Sequence, residues 1–260
     1  MEKDSVKTVV YQSYRTFDVP TWINRCMQTV QRWAASQGFD YRFIDDRLFA
    51  YAPEWYRQKV SDNILLISDL ARLVIAKDLL RESYSRTIWI DADVLVFEPE
   101  LFTIDITEGY AFCRELWVDH NRDGQLRGRF YVNNAVMVLV KPNDFLDFYI
   151  HACKSIVQHN SQLNKLAVGT QFLTALYHIM PFSLVNHVGM FSPFLMGQLA
   201  HDKVEETLHA YRRDCGFQIY AANLCSSFRN KSHDGVCMDD ALFGSVIDNL
   251  LNEPPVVVNE

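Results

Sequence analysis

The sequence predicts a single α/β domain with a mostly parallel central sheet flanked by helices. Three observations carry this. Short apolar runs alternate along the chain with stretches whose apolar residues recur at helical spacing. One of those runs, Thr87-Ile88-Trp89-Ile90, is apolar at nearly every position, as in a strand covered on both faces. And the 260 residues, 49% apolar and 22% charged, contain no internal repeat and no Gly/Ser-rich or Pro-rich linker before the tail Pro254-Pro255-Val-Val-Val, so one domain suffices.

In order, Val6 to Tyr11 is crowded with β-branched residues and reads as a buried opening strand. After the turn at Pro20, the residues Ile23, Cys26, Met27, Val30, Trp33 and Ala34 predict an amphipathic helix, with Gly38 as its stop. Tyr41 to Ile44 follows as a second strand, which makes strand, helix, strand a parallel crossover. Ile67, Leu70, Ala71, Val74, Ile75 and Leu79 predict the next helix, which feeds the central strand at 87–90. Later strands are expected at Tyr110–Cys113, Ala135–Val140 and Phe217–Ala222, and helices at Asp144–Gln158, Thr170–Tyr177 and Asp239–Leu251. Leu116–Phe130, charged and glycine-bearing, and Phe191–Gln198, mixing Met, Phe, Pro and Gly, read as loops. Trp117, Phe191 and Phe194 are expected to be exposed aromatics.

Composition excludes several functions. With 25 basic and 32 acidic residues the net charge is −7, so no global positive field draws a phosphate backbone and nucleic acid is not an expected partner. No apolar run reaches the roughly 18 residues of a membrane span. The start, Met1-Glu-Lys-Asp-Ser-Val-Lys, lacks a secretory apolar core, which points to the cytoplasm, either free or peripheral at the membrane. The six cysteines form no CxxC pair and read as free thiols, Cys225 and Cys237 being the one pair worth checking.

In an open parallel sheet, ligands bind beyond the carboxyl ends of the strands. Asp91-Ala92-Asp93 stands there, directly after Ile90. Two carboxylates one residue apart offer hard oxygen ligands to Mg²⁺ or Mn²⁺, which could hold a diphosphate. With 21 Asp in 260 residues such a triplet arises roughly once or twice by chance, so its weight comes from the apolar runs on either side of it. Asp69 and Arg72, at i and i+3, share a helix face. They read either as a surface ion pair or as a pair aimed at a sugar or phosphate, for which a guanidinium offers a planar fork of donors. Asn133 and Asn134 stand at a strand start and read equally as a turn or as two presented amides.

In this order the segments resemble the GT-A fold glycosyltransferases of the DXD sugar-binding type, a group that includes bacterial polysaccharide transferases and Golgi mannosyltransferase relatives. Val9-Val10-Tyr11-Gln12-Ser13-Tyr14 and Val19-Pro20-Thr21-Trp22 resemble the opening strand and first helix of that family, and Ser68-Asp69-x-x-Arg72 its SDxxR helix. Ile88-Trp89-Ile90-Asp91-Ala92-Asp93-Val94 is similar to its motif strand, Asn133-Asn134-Ala135-Val136-Met137 to its sNavm segment, and Tyr220-Ala221-Ala222-Asn223-Leu224 to its late strand. Together they span most of residues 6 to 228.

The resemblance implies a Rossmann-like GT-A domain over 1–260, with a nucleotide-binding part at about 1–140 and an acceptor part at about 141–250. It implies a metal-dependent hexosyltransferase that uses a UDP- or GDP-sugar donor, a glycan or lipid-linked acceptor, Mn²⁺ or Mg²⁺, and retention of configuration. Tyr11 and Gln12 would lie by the nucleotide, Asp69 and Arg72 by the donor sugar, and Asp91 by the ribose or sugar. Asn133, Asn134 and Gln171, the last opening a helix after Gly169-Thr170, complete the expected donor side. Asp69, Arg72, Asp91 and Asp93 would be catalytic. The metal set would be Asp91, Asp93, Asn223 and His233.

Two features depart from the family pattern. Its Gly-Gly before the motif strand is replaced by Arg81-Glu82-Ser83-Tyr84-Ser85-Arg86, and its late-strand His by Asn223, with His233 the substitute considered and His187 a weaker one. Two other readings stay open. One is a phosphohydrolase of the haloacid dehalogenase type, in which the first Asp is a nucleophile. The other is a nucleotide-sugar or partner-binding module without turnover.

Overall fold

The structure, a computed structural model, describes residues 6–61, 63–201, 210–211, 213–233 and 235–253. The Pro254-Pro255 tail lies outside the described residues. The chain runs through β1 (Thr8–Ser13), α1 (Thr21–Ser36), β2 (Asp40–Ile44), α2 (Glu54–Val60), α3 (Ile64–Glu82), β3 (Arg86–Ile90), β4 (Val94–Val96), β5 (Tyr110–His120) and β6 (Leu126–Val140). It continues with α4 (Asp144–His159), α5 (Thr170–Ile179), β7 (Ser183–Val185), β8 (Val188–Met190), α6 (Pro193–Ala200), β9 (Ala221–Asn223), β10 (Ser232–His233), β11 (Val236–Cys237) and α7 (Asp240–Asn252).

The large sheet has strand order β2-β1-β3-β6-β5-β7. β1 is parallel to β2 and β3, β5 is parallel to β7, and β6 runs against both its neighbours, so five of the six strands point one way. The expected α/β fold with a mostly parallel sheet is therefore observed. A second sheet, β4-β9-β8, adjoins it, and β10 pairs with β11.

Strand alternation sorts the core into layers. Val9, Tyr11, Trp89, Met137 and Leu139 pack with α3 and α4, while Val10, Ile88, Ile90, Val136 and Val138 pack with Val30, Trp33 and Ala34 of α1 and with the small sheet. The α1 stripe continues through Trp22, Ile23 and Cys26 into a third cluster with α6 and α7. Gly38 ends α1 as expected, at φ +69, where residues with a side chain are disfavoured.

α3 departs from the expectation of one apolar stripe. It buries Leu66, Leu73, Ala76 and Leu80 as well as Leu70, Ala71 and Leu79, because the sheet, α2 and α4 all pack around it. Leu116–Phe130 is no loop. Asp119, Arg127 and Arg129 ride on the two strands of a hairpin, Arg122 and Asp123 stand in its turn, and the turn is set by Asn121, whose Oδ1 accepts from the backbone N–H of Asp123 and Gln125. Phe191–Gln198 is largely α6, capped by Ser192, whose Oγ accepts from Leu195 N, with Pro193 in the first turn. Phe191 is buried, not exposed. Of Phe217–Ala222 only the end is strand, in β9. The cysteines are all unpaired, Cys225 being buried and Cys237 exposed. Among the described residues no helix is long and apolar enough to cross a membrane.

Candidate active site

A cleft of about 470 Å³ opens at the carboxyl ends of β1 and β3. Ser13, Tyr14 and Arg15 leave β1 into it, and Asp91, Ala92 and Asp93 connect β3 to β4 across its floor. α3 supplies Ser68, Asp69 and Arg72, β6 supplies Asn133 and Asn134, and Lys165, Leu166 and Thr170 come from the approach to α5. Asn223, Cys225, Ser226 and Ser227 close the far side.

Arg72 is the hub. It is only 5% exposed, and its Nη1 donates to Asp91 Oδ1 at 3.1 Å and to the Asn134 carbonyl at 2.9 Å. Its Nε and Nη2 donate to the carbonyl and hydroxyl of Ser68, and Nη2 lies 3.3 Å from Asp69 Oδ1. The guanidinium also covers the Trp89 ring at 4.6 Å. The pair at 69 and 72 is thus a buried pair in the cleft wall, not a surface one, because α3 is covered on nearly all sides. Asp69, 6% exposed, is further held by Asn134 Nδ2 at 2.8 Å, and burial pushes its carboxyl upward against the pull of Arg72.

Asp91 accepts from Trp89 Nε1 at 2.6 Å as well as from Arg72. Burial, with Asp93 adding to it, pushes the Asp91 carboxyl up to about 7 against the opposing pull of Arg72. Asp93 accepts from Ser226 N at 2.7 Å and from Asn223 Nδ2 at 3.3 Å. The α5 approach fits tightly over this group, since a Cβ at Gly169 would lie 2.8 Å from Asp69 Oδ2 and 3.3 Å from Asn134 Oδ1.

Several expected residues take other positions. Tyr11 is fully buried on the α3 side of β1, where its hydroxyl donates to the Arg72 carbonyl at 2.8 Å, so its ring cannot meet a nucleotide base. Gln12, also fully buried, bridges the Asp91 carbonyl and the Tyr41 hydroxyl. Both act from behind the wall, and Tyr14 and Arg15 hold the cleft positions expected of them. Gln171 is exposed and does not line the cleft, although its neighbour Thr170 does. His233 also stays off the cleft wall, edge-on to Phe228 at 5.4 Å. His187 Nδ1 donates to the Gln218 carbonyl at 2.8 Å, away from the cleft. Asn223 does line the cleft, but its Oδ1 accepts from Cys225 N at 2.7 Å, which turns its amide toward Asp93 and away from a ligand role.

The donor set left for a cation is therefore Asp91 and Asp93. Among the described residues no group of three or more His, Cys, Asp or Glu is placed to hold a metal. Two adjacent carboxylates, one with its proton affinity raised by burial, suit a Mg²⁺- or Mn²⁺-sized ion that completes its shell with water and phosphate oxygens. They do not make a self-sufficient cage.

Lys165, Ser226, Ser227 and the buried acid behind Asn133, Glu115, were not singled out by the sequence. Glu115 Oε2 accepts from Asn133 Nδ2 at 2.8 Å, and burial pushes its carboxyl upward. No local pattern marks these residues, because the chain brings them to the cleft only through tertiary packing.

No family model and no curated protein matches the chain. Among solved structures it is similar to a glycosyltransferase involved in the glycosylation of the major capsid of PBCV-1, at 10% identity over 84% of this chain and 94% of that one, with a TM-score of 0.47. It is similar to mouse xyloside xylosyltransferase 1 in its apo form, at 10% identity over 85% and 98%, with a TM-score of 0.42. It is also similar to the apo-form glycosyltransferase GlyE of Streptococcus pneumoniae TIGR4, at 11% identity over 95% of this chain and 62% of that one, with a TM-score of 0.41.

Proposed function

We propose that the chain is a GT-A-type glycosyltransferase, moving a sugar from a UDP- or GDP-sugar to a hydroxyl of a glycan or lipid-linked acceptor with retention at the anomeric carbon, in the cytoplasm or at the membrane surface. The observation that carries this reading is the pair Asp91 and Asp93 at the carboxyl end of the central strand, in a cleft that also receives the end of β1. A nucleoside diphosphate needs both a cation anchor and a crevice leading away from it, roles that the two carboxylates and the cleft would fill.

A Mg²⁺ or Mn²⁺ ion held by Asp91 and Asp93 would supply charge neutralisation to the departing diphosphate. Arg72 fixes the Asp91 carboxylate, and Asn223 with Ser226 N fixes that of Asp93, so neither has to reorganise when a ligand arrives. Asp69 and Asn134, locked to each other beside Arg72, present a polar wall to the donor sugar. Lys165, which has no carboxylate partner among the described residues, offers a cation at the mouth.

A phosphohydrolase with Asp91 as nucleophile fits less well, because two donors already hold the Asp91 Oδ1. A module that binds nucleotide sugar without turnover is the second reading, favoured by the lack of a third ionisable ligand among the described residues.

The test is thermal unfolding with UDP and with GDP, each with and without Mn²⁺, followed by turnover of UDP- and GDP-hexoses. Ligands that bind only the native state raise its stability, by about 2.7 kcal/mol at a hundred times Kd. A Mn²⁺-dependent rise that disappears in Asp93→Ala, together with release of nucleoside diphosphate, supports the transferase. A rise without turnover supports the binding module, and no rise with either nucleotide overturns both.

A further inference from the structure

The β5–β6 hairpin runs on from the cleft, and one of its faces carries an ordered row of side chains. Alternate residues of a strand share a face, so Glu115 and Trp117 stand with their cross-strand partners Tyr131 and Arg129. Asn133 heads this row and lines the cleft itself. Its Nδ2 donates to Glu115 Oε2, which joins the row to the cleft wall.

Glu115 is 7% exposed, and no donor among the described residues reaches its second oxygen. That oxygen keeps some contact with solvent, since among the described residues the fully buried side-chain oxygens without partners are those of Thr87 and Asn186. A carboxylate with one oxygen held and the other open is an acceptor waiting for a donor. Further along, the Trp117 ring lies 5.8 Å from that of Phe228 at 32°. Phe228 directly follows the cleft-lining Ser226 and Ser227, and the cleft-lining Lys165 extends its Nζ to 5.9 Å from the same ring. Two half-buried rings therefore stand beside the cleft-lining Lys165, Ser226 and Ser227, next along the strand face from an acid with an open oxygen.

The chemistry of the row is amphipathic on the scale of one sugar ring. A pyranose shows C–H groups on a face and hydroxyls around its edge, and is matched by aromatic faces beside a few placed polar groups. A protein partner would ask for a broader apolar patch than one interrupted by Glu115 and by the Arg129–Asp119 ion pair.

We propose that this row is the acceptor subsite and that its occupant is a carbohydrate, with a pyranose seated against Trp117 and Phe228 and one hydroxyl donating to the open oxygen of Glu115. This rests on the glycosyltransferase reading and adds the chemical class of the acceptor and the residues that select it. Through Asn133, the same carboxylate ties the acceptor side to the wall of the donor cleft.

Saturation-transfer NMR on the full chain tests it, with methyl glycosides of glucose, galactose, mannose, xylose and N-acetylglucosamine as probes, with and without UDP or GDP and Mn²⁺. The expected result is saturation of at least one glycoside, strongest at the C–H protons of one ring face. Glu115→Gln and Trp117→Ala should each weaken it by about tenfold or more, and Trp117→Ala should do so with nucleotide affinity unchanged. Phe228→Leu keeps apolar volume while removing the ring, and serves if Trp117→Ala does not fold. A chain that binds nucleotide but no glycoside overturns the carbohydrate assignment. Glycoside binding that survives the Glu115 and Trp117 changes overturns the location. Failure to bind nucleotide strikes the transferase reading instead, and the subsite then stands or falls on whether glycoside binding depends on these two residues.

Discussion

Arg72 of α3 and Asp91 at the end of β3 meet at 3.1 Å, with the Trp89 indole N–H on the same carboxylate oxygen and the guanidinium lying over that indole. Helix, strand and cleft floor are joined at this one point. Because Arg72 also neutralises Asp69, removing it would leave two largely buried carboxylates without their cation.

Arg72→Ala is therefore expected to destabilise the chain by about 3–5 kcal/mol. Arg72→Lys should recover only part of this, since an ammonium cannot reproduce the planar fork that reaches Asp91, Ser68 and the Asn134 carbonyl together. Urea unfolding of both variants measures this, and equal stability of Arg72→Lys and the parent would contradict it.

Asp91 makes stability depend on pH. Its carboxyl titrates near 7 in the folded chain and near the ordinary value of 3.8 when unfolded. Between these values the folded state holds a proton that the unfolded state lacks, so the contribution of Asp91 to stability is full below about pH 4 and is lost as pH rises through 7. The 26% of the side chain left open to the cleft screens part of the charge, so Asp91→Asn should gain about 1–2 kcal/mol at pH 8 and almost nothing at pH 4. Melting curves across this range, with parent and variant showing the same slope, would rule it out.

Gly169→Ala tests the close fit over the cleft wall. The added methyl meets Asp69 Oδ2 at 2.8 Å, and Asp69 is itself fixed by Asn134 and Arg72, so something in the wall must move. A loss of about 1–3 kcal/mol is expected, together with weaker nucleotide binding. Calorimetry of the variant reads both.

Ser192 links the hairpin to α6. Its hydroxyl donates to the Val118 carbonyl at 2.6 Å and accepts from Leu195 N at 3.3 Å, fully within the core. Ser192→Ala should cost about 1–3 kcal/mol, by losing the cap and leaving a buried carbonyl without its donor. A variant as stable as the parent in denaturant titration would show that neither bond matters.

What the sequence made legible follows its periodicities. The residues that build α1 and β3 are strongly patterned, and both elements stand close to where the spacing puts them. Asp69, Arg72, Asp91, Asp93 and Asn134 do converge on one cleft, because each sits at a fixed place on an element whose position the alternation implies. Tyr11 and Gln12 show the limit. Which residues of a buried strand reach the cleft depends on where the strand ends, and β1 runs to Ser13. The hairpin was hidden because its strands are half solvated and carry charge, so residues 116–130 lack the apolar alternation that announces a strand. Glu115 and Lys165 left no local trace at all, since their roles arise from residues far away in sequence.

The stretch from Asp91 to Asp93 is short, yet it spans two sheets: β3 ends just before it in the large sheet, and β4 starts just after it in the small one. Asp91 is fastened to the large sheet side through Arg72 and Trp89, whereas Asp93 is fastened to Asn223 and Ser226, in and after β9. Anything that grips both carboxylates at once therefore cross-links the two sheets, like a clasp closed over a seam. Amide hydrogens of Val94 to Val96 should then exchange more slowly with solvent when the cleft is filled, and the stiffness of the seam becomes a direct gauge of occupancy.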